Sequence, residues 1–282
     1  MKLDFIKMNG AGNDFVIFDA KKQEISLSAE QIRAISARDN PLTKGCDQLL
    51  MLKESDKADV FMHIYNADGG EVDACGNATR CIADMLYKEL GRLPVSIETN
   101  AAVLQGVKEQ DDYILVDMGA PKFDWQDIPL AIPTEEAAKK IESFSGFKNP
   151  TFVSMGNPHV VFFMDEIPSD AEVRKIGSKI ENSTEVFPKR VNVSFAQITA
   201  NIDGNSYIIT AKTWERGAVL TAACGTGACA ILAAANKLNS DIGSAIVKFM
   251  NSNEVVTVEL QENNRILLGG EIEKEFEGTV EI

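Results

Sequence analysis

The chain has 282 residues, of which 45% are hydrophobic and 25% charged, a composition typical of soluble globular proteins. Its length exceeds that of most single domains, so two domains are expected. The formal net charge of −14 argues against a nucleic acid or an anionic membrane as the partner, because clustered lysine and arginine bind both of these.

Short β-rich runs recur along the chain and predict that much of it is sheet. The predicted strands are Leu3–Met8, Phe15–Asp19, Val60–Asn66, Ala102–Glu109, Tyr113–Met118, Val160–Met164, Val191–Thr199, Ser206–Glu215, Ala245–Met250 and Glu254–Leu260. Helices are predicted from the capping box that starts at Ser28, after Asn77, after Thr134, near Asp170 and after Thr226. This mixture predicts an α+β fold.

Two of the predicted helices differ in their apolar pattern. The helix after Asn77 carries apolar residues at helical spacing and meets Gly91, a residue typical of a helix C-terminus. The helix after Thr226 is apolar on nearly every side, which predicts that it lies buried.

The chain contains an internal repeat. The segment Gly12–Asp19 resembles Gly156–Asp165, and Ala74–Asn77 resembles Ala223–Thr226. Within each half the two segments are similarly spaced, with 63 residues from Gly12 to Cys75 and 68 from Gly156 to Cys224. Matches in the same order indicate two halves of similar structure.

Strand ends support the same duplication. Asn66 and Glu215 each end a predicted strand, and each stands nine residues before a cysteine, Cys75 or Cys224. We therefore predict two similar domains, 1–119 and 120–270, with 271–282 returning to pair with the first. Each is expected to be a mostly antiparallel sheet or barrel around a central buried helix. The active site is expected in the cleft between them, where ligands commonly bind.

The two matched cysteines stand at predicted helix starts. A helix N-terminus offers unpaired N–H groups and the positive end of the dipole, so the pKa of Cys75 and Cys224 is expected to fall from about 8.5 toward neutrality. The small residues that follow let a ligand approach those N–H groups, and such helix starts bind carboxylates. We therefore predict an anion-binding site beside a thiol in each half.

A thiolate and a thiol on opposite faces of one carbon can invert the configuration of that carbon. One cysteine removes the α-proton of an amino acid and the other returns a proton to the far face, while N–H donors stabilise charge that flows into the carboxylate. This chemistry predicts a racemase or epimerase that needs no pyridoxal phosphate.

Other interpretations of the cysteines carry less weight. Cys81 and Cys229 lie on apolar helix faces and Cys46 has no matched counterpart, so all three are expected to be packing residues. Zinc is disfavoured because the chain has only two histidines and no two cysteines spaced as a zinc site requires. A disulfide between Cys75 and Cys224 is conceivable as an inactivated form.

The motifs resemble those of the diaminopimelate epimerase family over essentially the whole chain. The segments that carry the resemblance are Met8–Phe15, Gly45–Leu50, Tyr65–Gly69, Cys75–Cys81, Met155–His159, Arg190–Val193, Glu215–Gly217 and Ala223–Ala228. The resemblance implies a cofactor-independent and metal-independent isomerase. Its substrates would be LL- and meso-diaminopimelate, in lysine and cell-wall precursor biosynthesis.

The resemblance also implies roles for individual residues. Cys224 is expected to accept the proton of the LL-isomer and Cys75 to donate one, with His159 and Glu215 beside the cysteines to tune or orient them. The residues expected to hold the α-carboxylate are Gly76, Asn77, Gly225 and Thr226. Those expected to hold the amino groups and the distal carboxylate are Asn13, Gln48, Asn66, Asn157, Asn192, Glu215 and Arg216.

Several questions stay open at the level of sequence. Val219 stands where the family usually has glycine, and its β-branched side chain disfavours a positive φ and adds bulk. A proline or hydroxyproline racemase on the same scaffold is one alternative, and a non-catalytic amino-acid-binding protein is another. The family resemblance implies a homodimer. The absence of an apolar span or a signal-peptide pattern in the sequence favours the cytoplasm.

Overall fold

The structure is a computed structural model that describes residues 2–22, 25–73, 75–110, 113–217, 219–252 and 254–281, and at 109, 110 and 219 the backbone alone. The helices are α1 Ala29–Ser36, α2 Gly76–Leu90, α3 Thr134–Ser145, α4 Asp170–Glu181 and α5 Gly225–Leu238. The strands are β1 Lys2–Gly10, β2 Asn13–Asp19, β3 Gln48–Lys53, β4 Val60–Asn66, β5 Glu71–Val72, β6 Val95–Glu98, β7 Val103–Gln110, β8 Tyr113–Asp117, β9 Thr151–Ser154, β10 Pro158–Phe163, β11 Asn192–Asn201, β12 Ser206–Glu215, β13 Val219–Leu220, β14 Ser244–Phe249, β15 Val255–Leu260, β16 Ile266–Gly269 and β17 Ile272–Glu281.

The α+β fold class is confirmed, and so are the predicted helices. Ser28 caps α1 through its side chain and forms a reciprocal capping box with Gln31. Gly91 ends α2 in the left-handed conformation with φ of 64°, which a residue with a side chain adopts only at a cost. The ten predicted strands are present with ends shifted by no more than two residues.

The chain divides into two compact units. The first comprises Met1–Asp117 together with Gly269–Ile282, and the second comprises Met118–Leu268. The predicted divisions at 119 and 270 lie within two residues of these bounds. The returning strand β17 pairs antiparallel with β1 and belongs to the first unit.

The first unit is one sheet in which β2 and β3 are parallel. Its strands follow the order β17, β1, β2, β3, β4, β6, β7 and β8, and the short β5 also pairs with β4. The second parallel pair is β4 with β6, and the helix α2 makes the connection between them. The remaining neighbours in this unit are antiparallel.

The second unit repeats this connectivity. Strands β10 and β11 are parallel and are joined through α4, while β12 and β14 are parallel and are joined through α5. Antiparallel pairs link β9 to β10, β11 to β12, β12 to β13 and β14 to β15. The internal repeat predicted from the sequence therefore corresponds to the same succession of parallel and antiparallel strand pairs in both units.

A buried helix lies at the centre of each unit. Helix α2 contacts strands β1, β6, β7 and β8, and α5 contacts β9, β10, β11, β14 and β15. Ten of the fourteen residues of α5 are buried, as its apolar sequence predicts. Because the surrounding strands cover them, these helices hold their N-terminal residues in fixed positions.

The outer helices cover the opposite face of the sheets. Helix α1 packs Ile32 and Ile35 into a core that includes Phe18 and Leu49. Helix α4 packs Val173 into a larger aromatic core of the second unit. Within the described residues, no helix combines the length and the apolar character that crossing a bilayer requires.

Candidate active site

Cys75 is the N-cap residue of α2, with an extended backbone at φ of −144°. Its carbonyl accepts the first helical hydrogen bond, from Thr79 N at 3.0 Å. The thiol is partly exposed and donates to Asn13 Oδ1 at 3.7 Å. The structure therefore brings the predicted residues Asn13 and Cys75 together.

Two further predicted residues of the first unit pair with each other. Gln48 begins β3 and lies opposite Asn66, the last residue of β4. The Gln48 amide donates to Asn66 Oδ1 at 3.1 Å. Gln48 Oε1 is buried and has no hydrogen-bond partner among the described residues, so it is an acceptor available for an ammonium group.

Cys224 is the N-cap residue of α5 and is buried. Its sulfur accepts a hydrogen bond from Gly227 N at 3.3 Å and lies 3.7 Å from the Thr226 hydroxyl. A Cβ at position 227 would stand 3.0 Å from this sulfur, so the close contact depends on glycine. Cys224 thus caps its own helix, as a serine would.

Glu215, the last residue of β12, is a charged neighbour of Cys224. The Thr221 hydroxyl also donates to its Oε1. Burial raises the pKa of Glu215, and the hydrogen bonds from Thr221 and Cys224 offset only part of that rise. Sequence reasoning identified Glu215 but missed Thr221, which no motif marks.

The predicted fall in thiol pKa is wrong for Cys224. Burial, and after it the negative charge of Glu215, raises the pKa of Cys224 well above its ordinary value. The hydrogen bonds with Thr226 and Gly227 act in the opposite direction and are outweighed. Helix position therefore does not determine ionisation here, because desolvation of the thiolate is the larger effect.

His159, on β10, is fully buried and connects to Cys224 through two intermediates. Its Nε2 lies 2.9 Å from Asn157 Oδ1, and the Asn157 amide donates to the Thr226 hydroxyl at 3.2 Å. Burial, followed by the charge of Arg216, lowers the pKa of His159 to about 3, so its imidazole is neutral at physiological pH. The sequence placed His159 beside a cysteine, whereas its described hydrogen bonds are to asparagines.

Asn192 fixes the turn that carries Arg216. It begins β11 beside His159 in the parallel register, and its Oδ1 accepts from Arg216 N at 2.9 Å. Its amide donates to Pro158 O at 3.2 Å. The Arg216 guanidinium is exposed and donates to Lys189 O at 3.0 Å.

A buried carboxylate that the sequence analysis missed supports the same turn. Glu181 ends α4 and accepts hydrogen bonds from Trp214 Nε1 at 2.7 Å and from Gly217 N at 2.8 Å. It also forms an ion pair with Arg190. These contacts hold both flanks of Glu215 and Arg216, and they join residues up to 36 positions apart in the chain, which no local motif reveals.

The remaining predicted residues form the first turns of the two central helices. Gly76, Asn77 and Gly225 are buried, and Asn77 Oδ1 accepts from Arg80 at 3.0 Å. The first N–H groups of a helix lack intrahelical acceptors, so both turns present donors next to a cysteine. Such an arrangement can bind a carboxylate.

The backbone of Val219 pairs with Glu215 in β13, an extended conformation that suits a β-branched residue. Its side chain lies outside the described part of the structure. In the described residues, His, Cys, Asp and Glu side chains form no group of three that could hold a metal ion.

Comparison with known proteins identifies the family. The model of the family described as diaminopimelate epimerase matches residues 5–123 and 151–274. The chain belongs to the diaminopimelate epimerase family. This family is one of isomerases, and the assignment confirms the resemblance read from the motifs.

Two relatives, both named diaminopimelate epimerase, illustrate the likeness. The one from Acidiphilium cryptum is 39% identical over 277 residues, which cover 98% of this chain and 96% of the relative. The one from Sphingopyxis alaskensis is 43% identical over 231 residues, covering 82% and 80% respectively. The likeness to the diaminopimelate epimerase family thus extends through both units.

Solved structures share the fold at low sequence identity. A phenazine biosynthesis protein of the PhzF family from Bacillus anthracis is 16% identical, with a TM-score of 0.67 and complete coverage of both chains. A hydroxyproline epimerase from Agrobacterium vitis is 14% identical, with a TM-score of 0.61 and coverage of 99% of this chain and 92% of that one. These likenesses establish the α+β fold alone.

Proposed function

We propose that this protein interconverts LL- and meso-diaminopimelate by a two-base mechanism in which Cys75 and Cys224 act on one substrate carbon. The observation that carries the proposal is the equivalent placement of the two thiols. Each is the N-cap of the central helix of its unit, at the same point of a repeated topology. Membership of the diaminopimelate epimerase family supports this substrate.

The reaction needs one thiolate and one thiol in each direction. For the LL-isomer, the Cys224 thiolate takes the α-proton and leaves the electron pair on the substrate, and the Cys75 thiol gives its proton to the opposite face. The reverse reaction exchanges these roles. No net proton is gained or lost, and no cofactor has to accept electrons.

Glu215 gives the buried thiol a route to ionisation. The pKa of Cys224 lies well above its ordinary value, so the thiol keeps its proton at neutral pH. Glu215 is a charged neighbour of Cys224 and its own pKa is raised by burial, which makes it a stronger base than an exposed carboxylate. We propose that Glu215 takes the thiol proton as substrate binds.

The two helix starts would hold the carboxylate at the reacting carbon. The backbone N–H groups near Gly76 and Asn77 and near Gly225 and Thr226 are donors that gain strength as negative charge develops in the transition state. The Thr226 hydroxyl adds a donor that Asn157 orients.

The distal end of the substrate requires charged and polar partners. The exposed Arg216 guanidinium suits the second carboxylate, because its planar donors can bind both oxygens. The open acceptor on Gln48 suits the ammonium group. Asn13, Asn66 and Asn192 are proposed to complete these contacts. The neutral His159 would orient Asn157 and would carry no charge.

We further propose that the protein acts in the cytoplasm as a homodimer whose only partner is the small amino-acid substrate. Light scattering during size-exclusion chromatography tests the assembly, and a monomer at working concentration would contradict it.

Turnover of LL-diaminopimelate in deuterium oxide tests the proposed function directly. We expect meso product with deuterium at the α-carbon, and loss of at least 1,000-fold in kcat for Cys75→Ala and Cys224→Ala (about 4 kcal/mol in barrier), because each removes a reacting group. The matched controls are Cys81→Ala and Cys229→Ala, whose thiols are buried in the same helices. Circular dichroism checks that every variant is folded.

Three outcomes would exclude the proposal. Turnover of L-proline or trans-4-hydroxy-L-proline without turnover of LL-diaminopimelate would indicate the sister racemase activity. Binding of diaminopimelate without isotope exchange would indicate a non-catalytic binding protein. Full activity in either cysteine variant would exclude the two-base mechanism.

A further inference from the structure

Asp47 lies directly before Gln48 and contacts the residue that faces the Cys75 thiol. Its Oδ2 accepts from the Asn13 amide at 3.1 Å, and the Asn13 carbonyl oxygen in turn accepts from the Cys75 thiol at 3.7 Å. A carboxylate only accepts hydrogen bonds, so the NH₂ group of Asn13 must face Asp47. The carbonyl oxygen must then face Cys75.

Asp47 is itself held by charged groups. Arg38 Nη2 donates to Asp47 Oδ1, and Asp47 Oδ2 also accepts from Asp14 N at 3.2 Å. Asp47 N donates to Asp14 Oδ1 at 2.8 Å. Three contacts therefore fix the position and rotation of the Asp47 carboxylate, and the fourth fixes its backbone.

Asp14 joins this cluster to the core. It accepts from Arg38 Nη1 at 2.6 Å and from the buried Lys7 ammonium at 2.5 Å. Burial opposes ionisation of Asp14, yet the hydrogen bonds from Arg38 and Lys7 hold its pKa at about 2. The cluster of Lys7, Asp14, Arg38 and Asp47 is thus anchored in β1, β2 and the loop before β3.

We propose that Asp47 is a positioning residue that locks the Asn13 amide so that its carbonyl oxygen, and not its NH₂ group, meets the Cys75 sulfur. An acceptor at the sulfur favours the protonated thiol, whereas a donor would favour the thiolate. Asp47 therefore prepares Cys75 as the proton donor of the resting protein. This inference rests on the proposed function for its catalytic meaning and on the contacts alone for the orientation.

Asp47→Asn replaces the hydrogen-bond acceptor that faces Asn13 with a donor. Arg38 retains the carbonyl oxygen of the new amide, so the new NH₂ group faces Asn13 and also the Asp14 N–H, which loses its acceptor. The Asn13 amide then turns its carbonyl toward residue 47 and its NH₂ group toward Cys75. We expect the pKa of Cys75 to fall by about one unit, which gives about tenfold faster alkylation at pH 7.

The measurement is the pH dependence of iodoacetamide alkylation at Cys75, located by peptide mass spectrometry in the full chain. The ionisable groups Arg80, Cys81 and Asp84, which interact with one another along α2, are unchanged in the variant. Asp59→Asn is the matched control, because Asp59 accepts from Arg92 and from Ser96 N in a similar arrangement away from Asn13. It should leave the alkylation profile unchanged.

Asp47→Ala keeps the test decisive if Asp47→Asn does not fold. Alanine frees the Asn13 amide to rotate, so the pKa of Cys75 should fall by less than in Asp47→Asn. An unchanged pKa of Cys75 in either folded variant would overturn the positioning role, whatever the epimerase activity. A shifted pKa in a protein that never epimerises diaminopimelate would overturn the proposed function and leave the positioning role standing.

Discussion

Cys75 and Cys224 occupy equivalent positions in the two units, but their thiols have different surroundings. Cys75 is partly exposed and donates its hydrogen to an amide oxygen. Cys224 is buried, accepts a backbone N–H and contacts a carboxylate. A repeated topology has therefore produced two bases whose protons are controlled by different groups.

The strand registers show where the two units diverge. Gln48 begins β3 and lies between Phe15 of β2 and Asn66 of β4. Asn192 begins β11 in the same way, between His159 of β10 and the end of β12 at Glu215. In the first unit these flanking positions hold an apolar and an amide side chain. In the second unit they hold the imidazole of His159 and the carboxylate of Glu215.

The largest expected effect comes from removing the carboxylate of Glu215, which ends β12 where Asn66 ends β4 in the first unit. Glu215→Gln should lower kcat for LL-diaminopimelate by about 100- to 1,000-fold, because an amide cannot take the thiol proton. The same variant should lower the pKa of Cys224, since the neighbouring negative charge is gone. Initial rates and the pH dependence of alkylation measure the two effects.

Glu185→Gln serves as the control for Glu215→Gln, because Glu185 is exposed and pairs only loosely with Lys140 at 3.8 Å. It should retain wild-type activity. If Glu215→Gln retains more than half of the wild-type kcat, the carboxylate is not the base and the two units are functionally more alike than their contacts indicate.

The next effect concerns stability. In each unit a charged residue of an outer helix, Arg33 of α1 or Glu181 of α4, contacts the turn that follows β4 or β12. Glu181→Gln should cost about 3 kcal/mol, because its amide group meets another donor, the Trp214 indole, and Arg190 loses its ion pair. Both tryptophans lie in the second unit, so their fluorescence during urea unfolding reports this loss.

Arg33→Ala is the counterpart in the first unit, where Arg33 donates to Asp68 O at 3.0 Å. Arg33 is exposed and water replaces its hydrogen bond, so circular dichroism should detect almost no loss of stability. If Glu181→Gln and Arg33→Ala lowered the free energy of unfolding equally, burial of the charged side chain would not be what makes the turn of the second unit depend on it.

The effect that is smallest near neutral pH is the pH dependence that His159 gives to the second unit. The folded pKa of His159 is about 3 against an ordinary value of 6.5, so below pH 6.5 the unfolded chain binds a proton that the folded chain excludes. Stability should therefore fall by about 1.4 kcal/mol for each pH unit between about 6.5 and 3. His159→Gln should flatten this slope in urea unfolding followed by tryptophan fluorescence.

The same experiment contains its own control, because above pH 7 the unfolding free energies of wild type and His159→Gln should depend on pH in the same way. Identical slopes between pH 6.5 and 4 would show that the folded protein binds a proton at His159 over the same pH range as the unfolded chain.

Most of the fold followed from local pattern. Alternating strands, a capping box and a helix-ending glycine predicted elements whose ends were right to within two residues. Strand β3 was missed because its Leu49–Leu52 run is apolar without alternation and buried throughout. Such a run is typical of a strand covered on both faces, and periodicity cannot distinguish it from part of a helix.

The site was less completely predictable. The repeat located Cys75, Cys224 and the strand-end residues before them, since these lie in short motifs. Burial was not visible in the sequence, and it reversed the predicted direction of the Cys224 pKa. The supporting contacts of Glu181 and Asp47 join distant segments, so only the folded chain reveals them.

The pairing of β17 with β1 bears on how the protein is made. The Thr279 hydroxyl donates to Asp4 across 275 positions of the chain, and β17 lies along the whole of β1. A ribosome delivers every strand of the second unit, which ends at Leu268, before it delivers β17. The first unit is thus begun first and finished last. During translation β1 has an unpaired edge that a newly made chain must protect until residue 272 emerges.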